Sequence, residues 1–167
     1  MDLVKLREEL EIDEGVEYQI YNDHLGYPTF GVGHLILESD PEHGEEVGTP
    51  VSKERVIEAF EKDVEIVVDD CKVLYPDFDD LPEEAQRVIA NMMFNLGYPR
   101  LSKFKNMKKA VDNRDWTQTA IEMKDSKWYR QVTNRAKRLI SRVESVAYMC
   151  DDGCCRGYYV STRYSSN

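Results

Sequence analysis

The sequence lacks any apolar run that approaches the ~20 residues of a membrane-spanning helix, so we expect no membrane insertion. The opening residues, MDLVKLREEL, alternate charge with leucine and lack the apolar stretch of a signal peptide. Hydrophobic residues make up 41% of the 167 positions and charged residues 32%, which is typical of a soluble globular protein of about one domain. We therefore expect a protein that is made in a cytoplasm and needs outside help for any export.

Cysteine is scarce, and its spacing argues against a metal centre. Cys71 falls on the apolar face of a predicted helix, so we expect a buried thiol there. Cys150, Cys154 and Cys155 crowd the end of the chain and match none of the paired spacings of a zinc site. We expect no metal and no cofactor, and free thiols fit an intracellular origin.

Basic residues are few in the first part of the chain. Residues 1–99 hold 7 of the 22 Lys and Arg and 25 of the 32 Asp and Glu, a net charge of -18, whereas residues 100–167 carry +8. This asymmetry suggests a partner held by the second part, and a solvated surface without a partner fits it equally well. The basic residues are not interleaved with the aromatic pattern of RNA-binding domains, so we expect no nucleic-acid partner.

The first third of the sequence predicts one helix followed by a small β-rich region. A helix is expected over residues 2–14, where Asp2 can cap the start and Gly15 can end it. A β-rich stretch over residues 18–36 follows, punctuated by turn-forming residues. The acidic residues 38–50 then predict a surface loop.

Beyond Pro50 the apolar positions recur at helical spacing. Ser52 can cap the first helix, whose predicted apolar face is Val56, Ile57, Phe60, Val64, Val67, Val68 and Cys71. A second helix starts near Leu81 and has the predicted face Ala85, Val88, Ile89, Met92, Met93 and Leu96. Shorter helices are expected around residues 103–111, 116–124 and 134–148. The whole pattern predicts a mostly helical α+β fold, in which a small β-lobe meets a helical lobe at a cleft.

Two carboxylates in the first 23 residues are candidates for chemistry. Glu14 falls in the last turn of the first helix, where the carbonyl end of the helix dipole disfavours negative charge. Asp23 falls in a turn of the hairpin that follows. Two carboxylates on different elements that face each other across a cleft are the machinery of glycoside hydrolysis. A solvated surface charge is the alternative for any single one of the 32 acidic residues.

Three ordered blocks resemble the T-even phage lysozymes of glycoside hydrolase family 24. The blocks are Asp13-Glu14-Gly15 with Tyr21-Asn22-Asp23 and Gly26–Leu35, then Asn91–Gly97, then Ser126–Gln131 with Asn134–Arg138. The resemblance implies a lysozyme-like two-lobe fold over residues 1–149. It places the β-lobe at about 15–50 and the helical lobe at about 51–149, completed by the first helix, with the cleft between them. Residues 150–167 match nothing in the family, and we expect a disordered tail or loose cover there.

The resemblance also implies an endolysin that hydrolyses the β-1,4 bond between N-acetylmuramic acid and N-acetylglucosamine in peptidoglycan. Glu14 matches the general acid, Asp23 matches the carboxylate that positions or activates the attacking water, and Thr29 matches the threonine that helps to hold that water. The family inverts the anomeric carbon, which requires the two carboxyl groups to lie ~6.5–9.5 Å apart so that a water fits between them.

Further site residues follow from the same resemblance. Arg135 matches the arginine that pairs with the catalytic glutamate. His34 matches a histidine that pairs with an aspartate, for which Asp63 occupies the right position, and we expect that pair to staple the fold rather than to catalyse.

Four positions match the substrate-lining residues of the family. Leu35 and Phe94 keep the family's apolar character, which suits the apolar faces of sugar rings, although Phe94 could equally be a core residue. Met107 and Glu122 stand where the family has a serine and an asparagine, so any altered substrate preference would arise there.

Two other functions remain open from the sequence. A binding module of the same fold would hold peptidoglycan or chitin-like chains without cutting them, but it would be expected to lack one of the catalytic groups, all of which are present. A virion-borne wall-piercing enzyme would be expected to carry extra domains. We therefore expect a monomeric enzyme, with peptidoglycan glycan strands as its partner, that waits in a host cytoplasm and reaches the wall once the membrane is permeabilised.

Overall fold

The computed structural model describes residues 1–151. Along the chain it places α1 (Leu3–Glu14), β1 (Glu17–Asn22), β2 (Pro28–Gly31), β3 (His34–Leu35), α2 (Lys53–Leu74), a 3₁₀ turn (Phe78–Asp80), α3 (Glu83–Leu96), α4 (Tyr98–Leu101), α5 (Lys105–Asp112), α6 (Trp116–Lys124), α7 (Lys127–Gln131) and α8 (Thr133–Asp151). This order confirms the predicted α+β class with helix in the majority. None of the helices found over this range combines the length and apolar character that crossing a membrane requires.

Helix α1 begins and ends as its sequence predicts. The Asp2 carboxylate accepts hydrogen bonds from the backbone N–H groups of Val4 and Lys5, at 3.0 and 3.1 Å, and so satisfies two donors of the first turn. Gly15, with a φ of +76°, ends the helix and donates its N–H to the Glu11 carbonyl at 2.9 Å. Glu14 is therefore the last residue of the helix and is held at a defined end.

The three strands form one antiparallel sheet in the order β1-β2-β3. Tyr21 pairs with Thr29, and Thr29 pairs in turn with Leu35, so these three residues form a row across the sheet. Side chains that are directly opposite in an antiparallel pair share one face of the sheet. Residues of the other face are buried in an apolar cluster with the start of α2, and this cluster consists of Ile20, Phe30, Ile36, Val51, Val56 and Ala59.

Helices α2 and α3 follow their predicted apolar stripes, except that Val68 and Leu96 are only half-buried and Ile57 is exposed. Ser52 caps α2 by accepting the N–H of Arg55 at 3.2 Å, as predicted, and Cys71 is the expected buried thiol, whose pKa burial raises. Ile57 belongs to the predicted buried face, but its side chain is 48% exposed. The stripe through Val56 and Phe60 is completed by Ala59, which is buried in the cluster that α2 forms with the sheet.

The described chain divides into two compact units, the first from Met1 to Lys103 and the second starting at Phe104. In the first unit Val56 and Ala59 of α2 share one apolar cluster with the sheet, and the lobes predicted to meet near residue 50 stay a prediction. In the second unit α6 packs against α5, α7 and α8. Helix α8 continues to Asp151, and the rest of the predicted tail lies outside the described residues.

Candidate active site

Glu14 presents its carboxylate to the turn between β2 and β3. A methyl group built on Gly33 would lie 3.8 Å from Glu14 Oε2, and Gly33 has a φ of +71°, which side chains rarely adopt. Glu14 itself is partly buried. The predicted general acid thus lies against the end of the small sheet, beside a backbone conformation that only glycine adopts without strain.

Asp23 is fixed by the turn that joins β1 and β2. Its Oδ1 accepts the backbone N–H groups of Tyr27 and Leu25, both at 2.9 Å, and its own N–H donates to the Tyr27 carbonyl at 2.9 Å. The hydrogen bond from Tyr27, followed by that from Leu25, holds the pKa of Asp23 below its usual range. Both of these side-chain hydrogen bonds fall on Oδ1, so Oδ2 is the oxygen left to bind a water or a substrate.

Thr29 is buried in β2 and shares an anchor with Asp23. Its Oγ1 donates a hydrogen bond to the Tyr27 carbonyl at 3.0 Å, the same carbonyl that accepts the N–H of Asp23. Because the hydroxyl proton is committed to that carbonyl, Oγ1 can only accept a hydrogen bond from any further group. One peptide, that of Tyr27, thus fixes the positions of Asp23 and Thr29 relative to each other.

Tyr21 lies near both predicted catalytic carboxylates, Glu14 and Asp23. It lies opposite Thr29 in the sheet and is half-buried. Burial raises the pKa of Tyr21, and the negative charges of Glu14, Glu17 and Asp23 raise it further. Both predicted catalytic carboxylates therefore lie within electrostatic range of one phenol. The structure thus brings Glu14, Asp23 and Thr29 into one region of the first unit.

The predicted substrate-lining residues fall into different environments. Leu35 is 44% exposed and lies in the same row as Thr29, where a ligand on that face would meet it. Phe94 is half-buried and packs edge-to-face against Phe60, with ring centroids 5.9 Å apart, which places it with the core.

The other two predicted lining residues belong to the second unit. Met107 is only 1% exposed in α5, so the substrate contact predicted for it has no exposed side chain to make it. The physical reason is the amphipathic pattern of α5, which turns Met107, Ala110 and Val111 inward. Glu122 is half-buried in α6 and accepts a hydrogen bond from Gln118 Nε2 at 2.8 Å.

Arg135 is buried in α8, and its pairing with Glu14 stays a prediction.

His34 makes the predicted pair with Asp63 and a second one that the sequence did not reveal. Its Nδ1 lies 2.8 Å from Asp63 Oδ2, and its Nε2 lies 3.1 Å from Asp40 Oδ2. Burial alone would lower the pKa of His34, but the hydrogen bonds and charges of Asp63 and Asp40 together raise it. Arg55 extends the cluster, since it donates to Asp40 Oδ1 at 3.0 Å and to both carboxylate oxygens of Glu42.

This cluster supports the fold and does not face the candidate site. The His34 ring packs 4.9 Å from the Phe30 ring, and the Arg55 guanidinium lies 5.3 Å from the centre of the same ring. Phe30 is on the buried face of the sheet. The His34 network therefore anchors the loop after β3 to α2, behind the face that carries Thr29.

A second polar network, also missed from the sequence, joins α1 to α3. Asn91 is fully buried within the apolar stripe of α3 and donates to Asp13 Oδ2 at 3.0 Å, one residue before Glu14. One turn earlier, Arg87 forms ion pairs with Glu9 and with two glutamates of its own helix. Over residues 1–151 no group of three or more His, Cys, Asp or Glu side chains is arranged so that it could hold a metal ion.

Comparison with known proteins shows the family of the chain. The model of the phage lysozyme family matches residues 11–145. Probable T4-type lysozyme 2 of Dictyostelium discoideum is 31% identical over 159 residues, which cover 84% of this chain and 94% of that protein. The pre-baseplate central spike protein Gp5 of Enterobacteria phage T4 is 30% identical over 81% of this chain and 27% of its own length. Peptidoglycan hydrolase gp36 of Pseudomonas phage phiKMV is 27% identical over 85% of this chain and 15% of its own length. The chain therefore belongs to the phage lysozyme family, and as a lysozyme it is a glycoside hydrolase.

Proposed function

We propose that this lysozyme hydrolyses peptidoglycan by an inverting mechanism, at the β-1,4 bond between N-acetylmuramic acid and N-acetylglucosamine. Glu14 protonates the leaving oxygen, and Asp23 and Thr29 hold the attacking water. The observation that carries the proposal is that the Asp23 N–H and the Thr29 hydroxyl both donate to the Tyr27 carbonyl, on the sheet beside which Glu14 lies. The peptidoglycan hydrolase gp36 among the relatives supports the substrate.

The hydrogen-bonding capacity of Asp23 and Thr29 suits the capture of a water. Asp23 Oδ2 is an acceptor, and Thr29 Oγ1 is an acceptor once its proton is given to the Tyr27 carbonyl. A water can donate one hydrogen bond to Asp23 Oδ2 and the other to Thr29 Oγ1, so that both of its protons face the protein. Its lone pairs then point away from the protein, so one of them can attack the anomeric carbon of a sugar bound on this face.

The lowered pKa of Asp23 assigns it a particular part in this step. A carboxylate that accepts two backbone N–H groups stays ionised under ordinary conditions and is a weak base. Asp23 therefore orients the water and stabilises the positive charge that develops on the sugar ring, and it receives the proton only as the bond to the water forms. Glu14, on a separate element, is the group that supplies a proton to the leaving oxygen.

We further propose that the enzyme acts as a monomer, that it accumulates in a host cytoplasm, and that it reaches the cell wall once the membrane is permeabilised. The acidic first part of the chain and the basic second part suit an enzyme whose polymer substrate is itself charged. Release of wall fragments by intact and by permeabilised producing cells checks this order of events, because intact cells should release none.

The test of the chemistry is Glu14→Gln, which keeps the side-chain size and removes the acid. Purified peptidoglycan is digested with each protein, and the new glycan ends are identified by mass spectrometry. The parent should create reducing ends on N-acetylmuramic acid, and Glu14→Gln should create almost none while it unfolds at the parent temperature. Anhydro ends would indicate a lytic transglycosylase, the absence of new ends from the parent would indicate a binding module, and an active Glu14→Gln protein would show that the acid is wrongly assigned.

A further inference from the structure

The face of the sheet that carries the proposed chemistry holds one polar group without a role. Tyr21 pairs with Thr29 in β1, and Thr29 pairs with Leu35, so a phenol, a hydroxyl and an aliphatic side chain form one row. Asp23 follows Tyr21 by two residues. The Tyr21 hydroxyl makes no hydrogen bond within residues 1–151, although the side chain is half-buried.

Tyr21 differs from its neighbours in what it can offer a ligand. Asp23 Oδ2 and Thr29 Oγ1 can only accept, and Leu35 is apolar. Tyr21 keeps its proton over a wide pH range, because burial and the nearby negative charges of Glu14, Glu17 and Asp23 raise its pKa. Among these four side chains, Tyr21 is thus the one with a proton to donate.

A bacterial glycan presents two kinds of polar group to such a face. Its hydroxyls can donate to the acceptors Asp23 and Thr29. Its N-acetyl groups have a carbonyl oxygen that can only accept, and burying that oxygen without a donor costs binding free energy. A ligand that covers this face therefore needs a donor for its acetamido carbonyl, and Tyr21 is placed to provide one.

We propose that Tyr21 is a substrate-binding residue whose hydroxyl donates a hydrogen bond to an N-acetyl carbonyl oxygen of the bound glycan. The proposal rests on the proposed function, since it concerns the same face and the same substrate. It makes Tyr21 a specificity residue, which favours N-acetylated chains over chains in which the acetyl group has been removed.

The experiment compares two glycans and two proteins. Soluble glycan strands are used as prepared and after chemical de-N-acetylation, and kcat/KM is measured for the parent and for Tyr21→Phe. The parent should prefer the N-acetylated strands, and Tyr21→Phe should lose about tenfold on those strands, as expected for one hydrogen bond. On de-N-acetylated strands the two proteins should be about equal, so the preference collapses in the variant.

The cycle cancels the effects that do not involve Tyr21. De-N-acetylation creates an amine that Glu14 and Asp23 attract, but both proteins contain those carboxylates. For each protein, kcat/KM on N-acetylated strands is divided by kcat/KM on de-N-acetylated strands, and comparison of the two quotients removes this contribution. Tyr18→Phe, an exposed tyrosine of the same strand, is the matched control and should keep the parent's activity and preference. Titration of both glycans into Glu14→Gln proteins with and without Tyr21→Phe gives the same comparison from binding alone.

Two results would overturn the inference. One is a Tyr21→Phe protein that keeps the parent's preference for N-acetylated strands. The other concerns a further variant, Tyr27→Phe: if that protein loses the preference while Tyr21→Phe keeps it, Tyr21 is not the donor. Neither result would touch the proposed function, which fails only if the parent cuts no glycan or if Glu14→Gln still cuts it.

Discussion

Replacement of His34 by Gln should destabilise the fold in a way that depends on pH. His34 is 8% exposed and faces Asp63 at 2.8 Å and Asp40 at 3.1 Å, one carboxylate at each ring nitrogen. A hydrogen bond to a charged partner contributes ~1.5–3 kcal/mol. Asp40 keeps Arg55 as a partner in the variant and Asp63 is partly exposed to water, so we expect a combined loss of ~2–4 kcal/mol.

The sign of the pH dependence follows from the direction of the pKa shift. The pKa of His34 is raised above 6.5 by its two carboxylates, so its contribution to stability is complete below pH 6.5. The contribution is lost as the pH rises through the pKa of the folded state, because a neutral imidazole has one N–H and can donate to only one carboxylate. The difference between parent and variant should therefore be largest near pH 5.5 and should shrink at alkaline pH.

Thermal unfolding followed by circular dichroism at several pH values between 5.5 and 9.5 measures this difference. A loss of ~2–4 kcal/mol corresponds to a decrease in Tm of roughly 5–15 °C at the acid end. His43→Gln is the matched control, since His43 is exposed in the neighbouring loop, and its Tm should follow the parent at every pH. A His34→Gln deficit that stays constant from pH 5.5 to 9.5 would refute the reasoning, because it would show that folding does not raise the pKa of His34.

Three further predictions concern the site and its support. Asp23→Asn should keep the fold with a small loss of stability, since the amide oxygen can still accept the two N–H groups that Oδ1 accepts but without the negative charge that they stabilise. Wall clearing should fall ~100-fold or more because a donor then replaces Oδ2. Thr29→Val should lower kcat about tenfold with little change in KM, since it removes one acceptor for the water and one neutral hydrogen bond. Asn91→Leu should lower the free energy of unfolding by ~1–3 kcal/mol in urea titrations, because it removes the donor that Asn91 supplies to Asp13. The first prediction is contradicted if Asp23→Asn clears walls as fast as the parent. The second is contradicted if Thr29→Val keeps the parent's kcat, and the third if Asn91→Leu keeps the parent's free energy of unfolding.

Local sequence signals predicted the elements whose causes are themselves local. The cap Asp2 and the glycine at position 15 set the ends of α1, and the turn formers after Asn22 set the hairpin. The apolar period identified α2 and α3. Helices α4 and α7 were missed, because four or five residues are too few to show a period.

Contacts between distant segments were the part that could not be read from the sequence. Asp40 lies in a loop rich in acidic residues, and nothing in its neighbours distinguishes it as the second partner of His34. The inward position of Met107 depends on how α5 packs, which the resemblance to a family does not show.

The proposed catalytic residues could be predicted from the sequence only in part. The family resemblance named Asp23 and Thr29, but it did not show that the backbone of Tyr27 holds both of them, or that Oδ2 and Oγ1 remain as acceptors. Such hydrogen bonds depend on the closing of the hairpin, which the sequence alone leaves undetermined.

The most direct test of the mechanism is the anomeric configuration of the product at the instant of cleavage. Proton NMR of soluble glycan strands, recorded before mutarotation equilibrates the new reducing ends, distinguishes the two outcomes. A single displacement by a water held on Asp23 and Thr29 predicts that a β-linked strand first yields the α-anomer. Initial appearance of the β-anomer would show retention through a second displacement, and it would contradict the proposal that Asp23 and Thr29 hold the attacking water between them.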